Sequence, residues 1–159
     1  MMQIRLDDLS GPEIAAFLEE HIQDMRSVSP PESKHALDLA ALKAPSIRFW
    51  TMWQDDLLIG CGALKTLSHD HVELKSMRIR TSHRGLGYST ELLHFLLDQA
   101  RWQGAERISL ETGSMPFFAP ARALYRRHGF IDCAPFGAYK PDPNSVFMTR
   151  LVVKAQRTA

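Results

Sequence analysis

The sequence predicts a mixed α+β fold: one central, mostly antiparallel sheet containing a single parallel βαβ unit, with helices on both faces. Three observations predict it. Between Ile47 and Arg80, three runs of β-favouring residues follow one another across short polar turns, the pattern of an antiparallel meander. The period then changes from 2 to 3.6, because Ser89, Leu92, Leu93, Leu96, Leu97 and Ala100 form one apolar stripe opposite Glu91, His94, Asp98 and Arg101. A further β-run, Arg107 to Thr112, comes directly after that helix. A strand–helix–strand crossover of this length requires its two strands to lie parallel.

In chain order, Met2 to Leu6 reads as a short strand, and Asp8-Leu9-Ser10-Gly11-Pro12 as a turn into a helix over 12–26. Ile14, Phe17, Leu18, His21, Ile22 and Met25 follow its 3.6-residue period. Pro30-Pro31 breaks that helix, and a second helical piece, Leu37 to Leu42, stops before Pro45. Ile47 to Gln54 and Leu57 to Leu67 form a hairpin across Asp55-Asp56. His69-Asp70 turns the chain into a third strand, Val72 to Arg80. The amphipathic helix covers 88–103, with Gly104 as its C-cap. After the strand 107–112, a helix over 117–128 carries Pro120 in its first turn and ends at Gly129. Phe130 begins a strand, and Val146 to Val153 is the last one. No repeat or linker interrupts the 159 residues, so a single domain over 1–159 is expected.

Composition narrows the function. With 45% hydrophobic and 23% charged residues the chain has the makings of an ordinary packed core. A net charge of +1 leaves no broad basic face for a nucleic-acid backbone. The longest apolar run, Leu57 to Leu64, is too short to cross a bilayer, and the alternation of Met1 to Ser10 is that of a strand, not a signal peptide. Cys61 and Cys133 have no CxxC spacing and read as reduced thiols, which implies a cytoplasmic setting. His69-Asp70-His71 with Glu73 looks like a metal-ligand cluster at first sight, but the two histidines bracket a turn and no partner motif follows, so no metal is expected.

The most telling segment is Met77-Arg78-Ile79-Arg80-Thr81-Ser82-His83-Arg84-Gly85-Leu86-Gly87-Tyr88-Ser89-Thr90. A strand enters a basic, glycine-bearing turn and a helix leaves it at once. Gly85 and Gly87 permit a tight turn and close backbone approach to a ligand. The helix N-terminus adds unpaired N–H donors and the positive end of a dipole, while Arg84 offers a fork for phosphate oxygens. This is a phosphate-binding arrangement.

Two motifs in order carry a resemblance to a known family. Arg84-Gly85-Leu86-Gly87-Tyr88-Ser89 is similar to the Arg/Gln-x-x-Gly-x-Gly/Ala pyrophosphate loop of GNAT-type N-acetyltransferases. Ala121-Arg122-Ala123-Leu124-Tyr125-Arg126-Arg127-His128-Gly129-Phe130 resembles the family's Ala-x-x-Leu-Tyr-x-x-x-Gly-Phe segment. Leu110 to Ser114 and Tyr139 to Ser145 resemble a small bacterial subgroup. Ser89 replaces the usual Gly or Ala, and Phe118 falls near a position where many members carry a cofactor-holding Asn.

The resemblance implies acetyl-CoA as cosubstrate and transfer of its acetyl group to the primary amine of a small molecule by direct attack in a ternary complex. It implies that Met77, Arg78, Ile79, Arg84, Gly85, Leu86, Gly87, Tyr88, Ser89 and Thr90 bind the cofactor, Met77 and Ile79 through their backbones. It also implies a small-amine partner, with no nucleic acid and no membrane; a homodimer is the candidate assembly. An alkyl amine with a pKa of about 10 is only roughly one part in a thousand neutral at pH 7, a handicap of about 4 kcal/mol, so a base is useful. Glu73 is the expected base and Glu111 the reserve. Tyr125 is the expected acid at the departing thiolate. The second face of Phe49 to Trp53, with Arg48, is expected to touch the acceptor, and the mild acidity of residues 12–44 to suit a cationic amine. The competing classes are a dinucleotide oxidoreductase, which fails because Thr90 fills the third glycine position, and a non-catalytic acyl-CoA sensor. Acetylation of a peptide or protein amine is a further alternative.

Overall fold

The computed structural model describes residues 2–28 and 39–152. The chain runs β1 (Met2–Leu6), α1 (Pro12–Val28), α2 (Leu39–Leu42), β2 (Ile47–Gln54), β3 (Leu57–Ser68), β4 (His71–Ile79), α3 (Tyr88–Gln103), β5 (Arg107–Gly113), α4 (Ala119–Arg127), β6 (Ile131–Asp132) and β7 (Ser145–Leu151). The strands form one sheet in the order β1-β2-β3-β4-β5-β7-β6. Among the described residues only the β4–β5 pair is parallel. The mixed, mostly antiparallel sheet with a single crossover is therefore as expected.

Side-chain alternation divides the core in two. One face buries Met52, Ile59, Leu64, Val72, Leu74, Ile108, Leu110 and Met148 under Leu92, Leu93, Leu96 and Ala100 of α3 and Leu124 of α4. The other buries Phe49, Leu58, Cys61 and Ala63 under Ile14, Phe17 and Leu18 of α1 and Leu42 of α2. The stripe that predicts α3 is the face that packs. Gly62 lets α3 approach, since a Cβ there would sit 2.7 Å from Leu96 Cδ1.

Several expectations need correction. The segment 117–128 splits into a 3₁₀ turn, Pro116–Phe118, and α4, because Pro120 is accommodated only in a first turn. The strand begun at Phe130 is just Ile131–Asp132; Cys133 N still bonds Phe147 O, and then Pro135, Pro141 and Pro143 punctuate the chain as far as β7. Residues 37 and 38 of the second helical piece, and Val153 of the last strand, lie outside the described residues. None of the residues Arg48 to Trp53 lines the cavity described below: Phe49 packs under α1 and Trp50 against Phe95 of α3, while Arg48 Nη2 donates to Gln103 Oε1 at 2.6 Å.

Two features of β4 place the site. Ser76 sits at φ +57°, and the β3–β4 register shifts between Cys61 and Ala63, so β4 carries a bulge. On its other edge β4 pairs with β5 only from His71↔Arg107 to Leu74↔Leu110, whereas β5 stays paired with β7 as far as Gly113↔Ser145. Past Leu74 the two parallel strands separate, and the sheet opens into a wedge.

Candidate active site

The wedge is part of a cavity of about 790 Å³. Its first end is the turn between β4 and α3. Gly87 caps α3 from the left-handed region at φ 92°, with no side chain capping the first turn. Gly85 is also left-handed at φ 77°, and a Cβ at either glycine would meet no atom within 4 Å. Open space above exposed backbone at a helix start is what an anionic ligand requires. Arg84 lines this end, its Nε donating to Ile79 O at 3.2 Å, which ties the guanidinium to the end of β4.

Met77, Ile79, Arg84, Gly85, Gly87, Ser89 and Thr90 line the cavity together, as do Glu73, Glu111 and Tyr125. Leu86 and Tyr88 do not. Leu86 is 67% exposed, and Tyr88 turns to Gln54, whose Nε2 donates to the phenol oxygen at 3.1 Å. The Arg78 side chain is committed elsewhere: its Nη2 reaches Asp24 at 2.8 Å and Glu20 at 3.6 Å, and the guanidinium lies over Phe17. Arg78 is nevertheless among the residues that line the cavity. These ion pairs engage two of the acidic residues of α1, Glu20 and Asp24.

The other end is built across strands. On the α1 face, Lys65 of β3 stands directly opposite Glu73 of β4, and Glu73 opposite Ser109 of β5. Two residues further along each strand lie Lys75 and Glu111. Glu73 is not a surface residue; it is 2% exposed. Tyr139, carried in by the segment between β6 and β7, donates its hydroxyl to Glu73 Oε2 at 2.5 Å. Lys75 Nζ lies 3.4 Å from the same oxygen and 3.4 Å from the Tyr139 hydroxyl. The Tyr139 ring is fixed edge-on against Phe136 and Phe147.

Glu111 is only partly buried, and Ser145 Oγ donates to its Oε2 at 3.5 Å. Burial, reinforced by the nearby Glu73 charge, raises its pKa to about 7, against the smaller opposing pull of Lys75. Tyr125 comes from the opposite face, on α4, edge-on to Phe130, and burial pushes its phenol up to about 12. Phe118 stacks on β5 where the backbone is bare: a Cβ at Gly113 would fall 2.1 Å from its ring. The wedge thus joins a phenol from one face of the sheet to two carboxyl groups from the other.

Tyr139 and Lys75 were not foreseen as functional residues. Lys75 was legible, since a strand of period two puts it beside Glu73; Tyr139 lies in a segment noted for its resemblance, but nothing local tells where its hydroxyl goes. Among the described residues no cluster of three or more His, Cys, Asp or Glu side chains is arranged to hold a metal, and no helix is long and apolar enough to cross a membrane.

Comparison with known proteins agrees with this geometry. The family model described as acetyltransferase (GNAT) family matches residues 14–130. A Bacillus subtilis relative, described as an uncharacterized N-acetyltransferase, YsnE, is 50% identical over 149 residues, covering 94% of this chain and 99% of the relative. An IAA acetyltransferase of Azospirillum brasilense is 37% identical over 138 residues, covering 86% of this chain and 89% of its own. Among solved structures, a Klebsiella pneumoniae chain assigned as an acyl-CoA N-acyltransferase superposes with a TM-score of 0.76 at 26% identity, over 96% of this chain and 99% of that one. A GNAT acetyltransferase of Elizabethkingia anophelis with acetyl-CoA bound shares the fold at a TM-score of 0.68 and 15% identity, over 94% and 97% of the two chains. A sheet opened between its two parallel strands beside a glycine-bearing helix start, and matches that run nearly the length of the chain, lead to one assignment: this protein belongs to the GNAT family of N-acetyltransferases and is an acyltransferase.

Proposed function

We propose that the enzyme transfers the acetyl group of acetyl-CoA to the primary amine of a small molecule, by direct attack in a ternary complex. The observation that carries this reading is the wedge between β4 and β5, with the phosphate-type turn at one end and the Glu73–Glu111 pair at the other. The lining suits an extended, polar, anionic cosubstrate. The space over Gly85 and Gly87 is free for phosphates. Among the described residues, three buried polar atoms of the lining, Ser76 Oγ, His21 Nδ1 and Arg78 Nε, have no hydrogen-bond partner, and an amide-bearing arm would supply one. Burial and the Arg78 charge lower the His21 pKa to about 4, so that imidazole is neutral at physiological pH.

When bound, acetyl-CoA supplies a thioester carbonyl and a thiolate leaving group. The chain's own residues do the rest. Arg84 and the backbone of Gly85 to Thr90 hold the phosphates. The edge of β4 past Leu74, freed from β5, offers Met77 and Ile79 main chain to the arm and to the charge that develops on the carbonyl oxygen. Glu111, partly exposed and with a pKa of about 7, accepts the amine's proton. Glu73, the base expected from sequence, is buried and already receives Tyr139 and Lys75 on one oxygen; we assign it the fixed negative charge that keeps Glu111 basic and attracts the ammonium form of the acceptor. Tyr125, held protonated by its high pKa, donates to the departing sulfur.

The test is release of free CoA thiol from acetyl-CoA across a panel of small amines, with the product mass read in parallel. Amine-dependent thiol release with a product heavier by one acetyl group is expected. Acetyl-CoA binding without transfer to any amine would contradict the enzyme reading in favour of a sensor.

A further inference from the structure

We infer that the acceptor is an amine that also carries a carboxylate, and that Lys65 reads the carboxylate. This inference rests on the transfer reading above and adds the acceptor's second functional group. It starts from the pairing of charges in the cavity. Glu73 is engaged by Tyr139 and Lys75, and Arg78 by Asp24 and Glu20. Lys65 also lines the cavity and stands directly opposite Glu73 on the adjacent strand, yet among the described residues its ammonium makes no ion pair or hydrogen bond. Glu73 satisfies its own strand neighbour instead. A partly buried cation on a binding wall, beside a carboxylate already taken, is placed for a ligand anion.

The strand register says where that anion would lie relative to the amine. Lys65 is on β3, one strand spacing or about 5 Å from Glu73 of β4, and Glu111 is on β5, one residue past the last β4–β5 pair. Lys65 and both carboxyl groups line the same cavity, so an acceptor whose amine meets the carboxyl pair has a cation for a carboxylate on the same wall. Leu42 of α2, Ser46, Ile47 and Asn144 line the same cavity.

The experiment compares matched acceptors in the thiol-release assay: free amino acids, their methyl esters and the corresponding decarboxylated amines, each with wild type, Lys65→Met and Lys65→Arg. Wild type should prefer the acid over its ester by about 10- to 100-fold in kcat/KM, the range expected for one charge-assisted contact. In Lys65→Met that acid-to-ester ratio should fall to near one through KM, and Lys65→Arg should restore most of it. A wild type that acetylates esters or decarboxylated amines as well as acids, or a ratio that survives in folded Lys65→Met, would overturn the inference while leaving amine acetylation standing. No transfer to any amine would instead sink the underlying reading, because CoA binding measured alongside separates the two failures.

Discussion

The two ends of the cavity are built on opposite plans. The phosphate end is local: Arg84, Gly85, Gly87, Ser89 and Thr90 fall within seven consecutive residues, and one turn and one helix start position them all. The carboxyl end is assembled: Lys65, Glu73, Lys75, Glu111 and Tyr139 come from three strands and a connecting segment, up to 74 positions apart. A local site tolerates change elsewhere but fails when its turn fails. An assembled site degrades by degrees, because each member acts partly through another.

That contrast is broken most sharply at Gly87. Replacing it with Val forces a β-branched side chain to a φ of 92° and fills the open space where we propose that phosphate binds. Gly87→Val should weaken CoA binding by about 100-fold or more in calorimetry, since several charge-assisted contacts are lost together while the core is untouched. Near-normal affinity in a folded variant would mean that the turn is not the phosphate site.

Tyr125→Phe should lower kcat by about 10²-fold and leave CoA affinity nearly intact, because only a proton donor is removed. Steady-state kinetics with calorimetry on the same variant checks this; equal losses of turnover and binding would point to packing instead. At the assembled end the effect should be smaller. Tyr139→Phe deletes one hydrogen bond to Glu73 but leaves Lys75, so a loss of kcat of about 10-fold is expected with little change in CoA affinity. A loss as large as that of Tyr125→Phe would mean that Tyr139 touches the reacting atoms.

The same division governs what the sequence reveals. α3, β1, β2 and the turn at 84–87 were legible because each rests on near-neighbour rules: a 3.6 stripe, an alternating run, glycines before a helix. Glu73 and Glu111 were legible as candidates because strand position is local. That Glu73 is buried and held by Tyr139 was not, since the contact spans 66 positions and depends on where Phe136 and Phe147 pin a ring. Nor could spacing tell that Arg78 faces α1, because the bulge at Ser76 resets the alternation along β4.

The smallest effect concerns stability. The Glu111 pKa is raised in the folded state, from an ordinary 4.5 to about 7, so its contribution is fully present below pH 4.5 and is lost as pH rises through 7. Glu111→Gln, which cannot ionise, should therefore unfold at a higher temperature than wild type at pH 8, with an advantage on the order of 1–3 kcal/mol that disappears near pH 4.5. Thermal melts of both proteins over that range measure it. An advantage that persists at pH 4.5 would mean that the gain does not come from ionisation.

The division of labour between the two carboxyl groups is tested most directly by the pH dependence of kcat/KM for one fixed acceptor in wild type, Glu111→Gln and Glu73→Gln. In wild type an acid limb is expected near pH 7, from the proton on Glu111. Glu111→Gln should lack that limb and lose most activity at neutral pH, the deficit shrinking as the amine sheds its own proton to solvent at high pH. Glu73→Gln should keep the limb but move it to lower pH, because the charge that raises the Glu111 pKa is gone. A limb that survives in Glu111→Gln and vanishes in Glu73→Gln would contradict the account and return the proton-accepting role to Glu73.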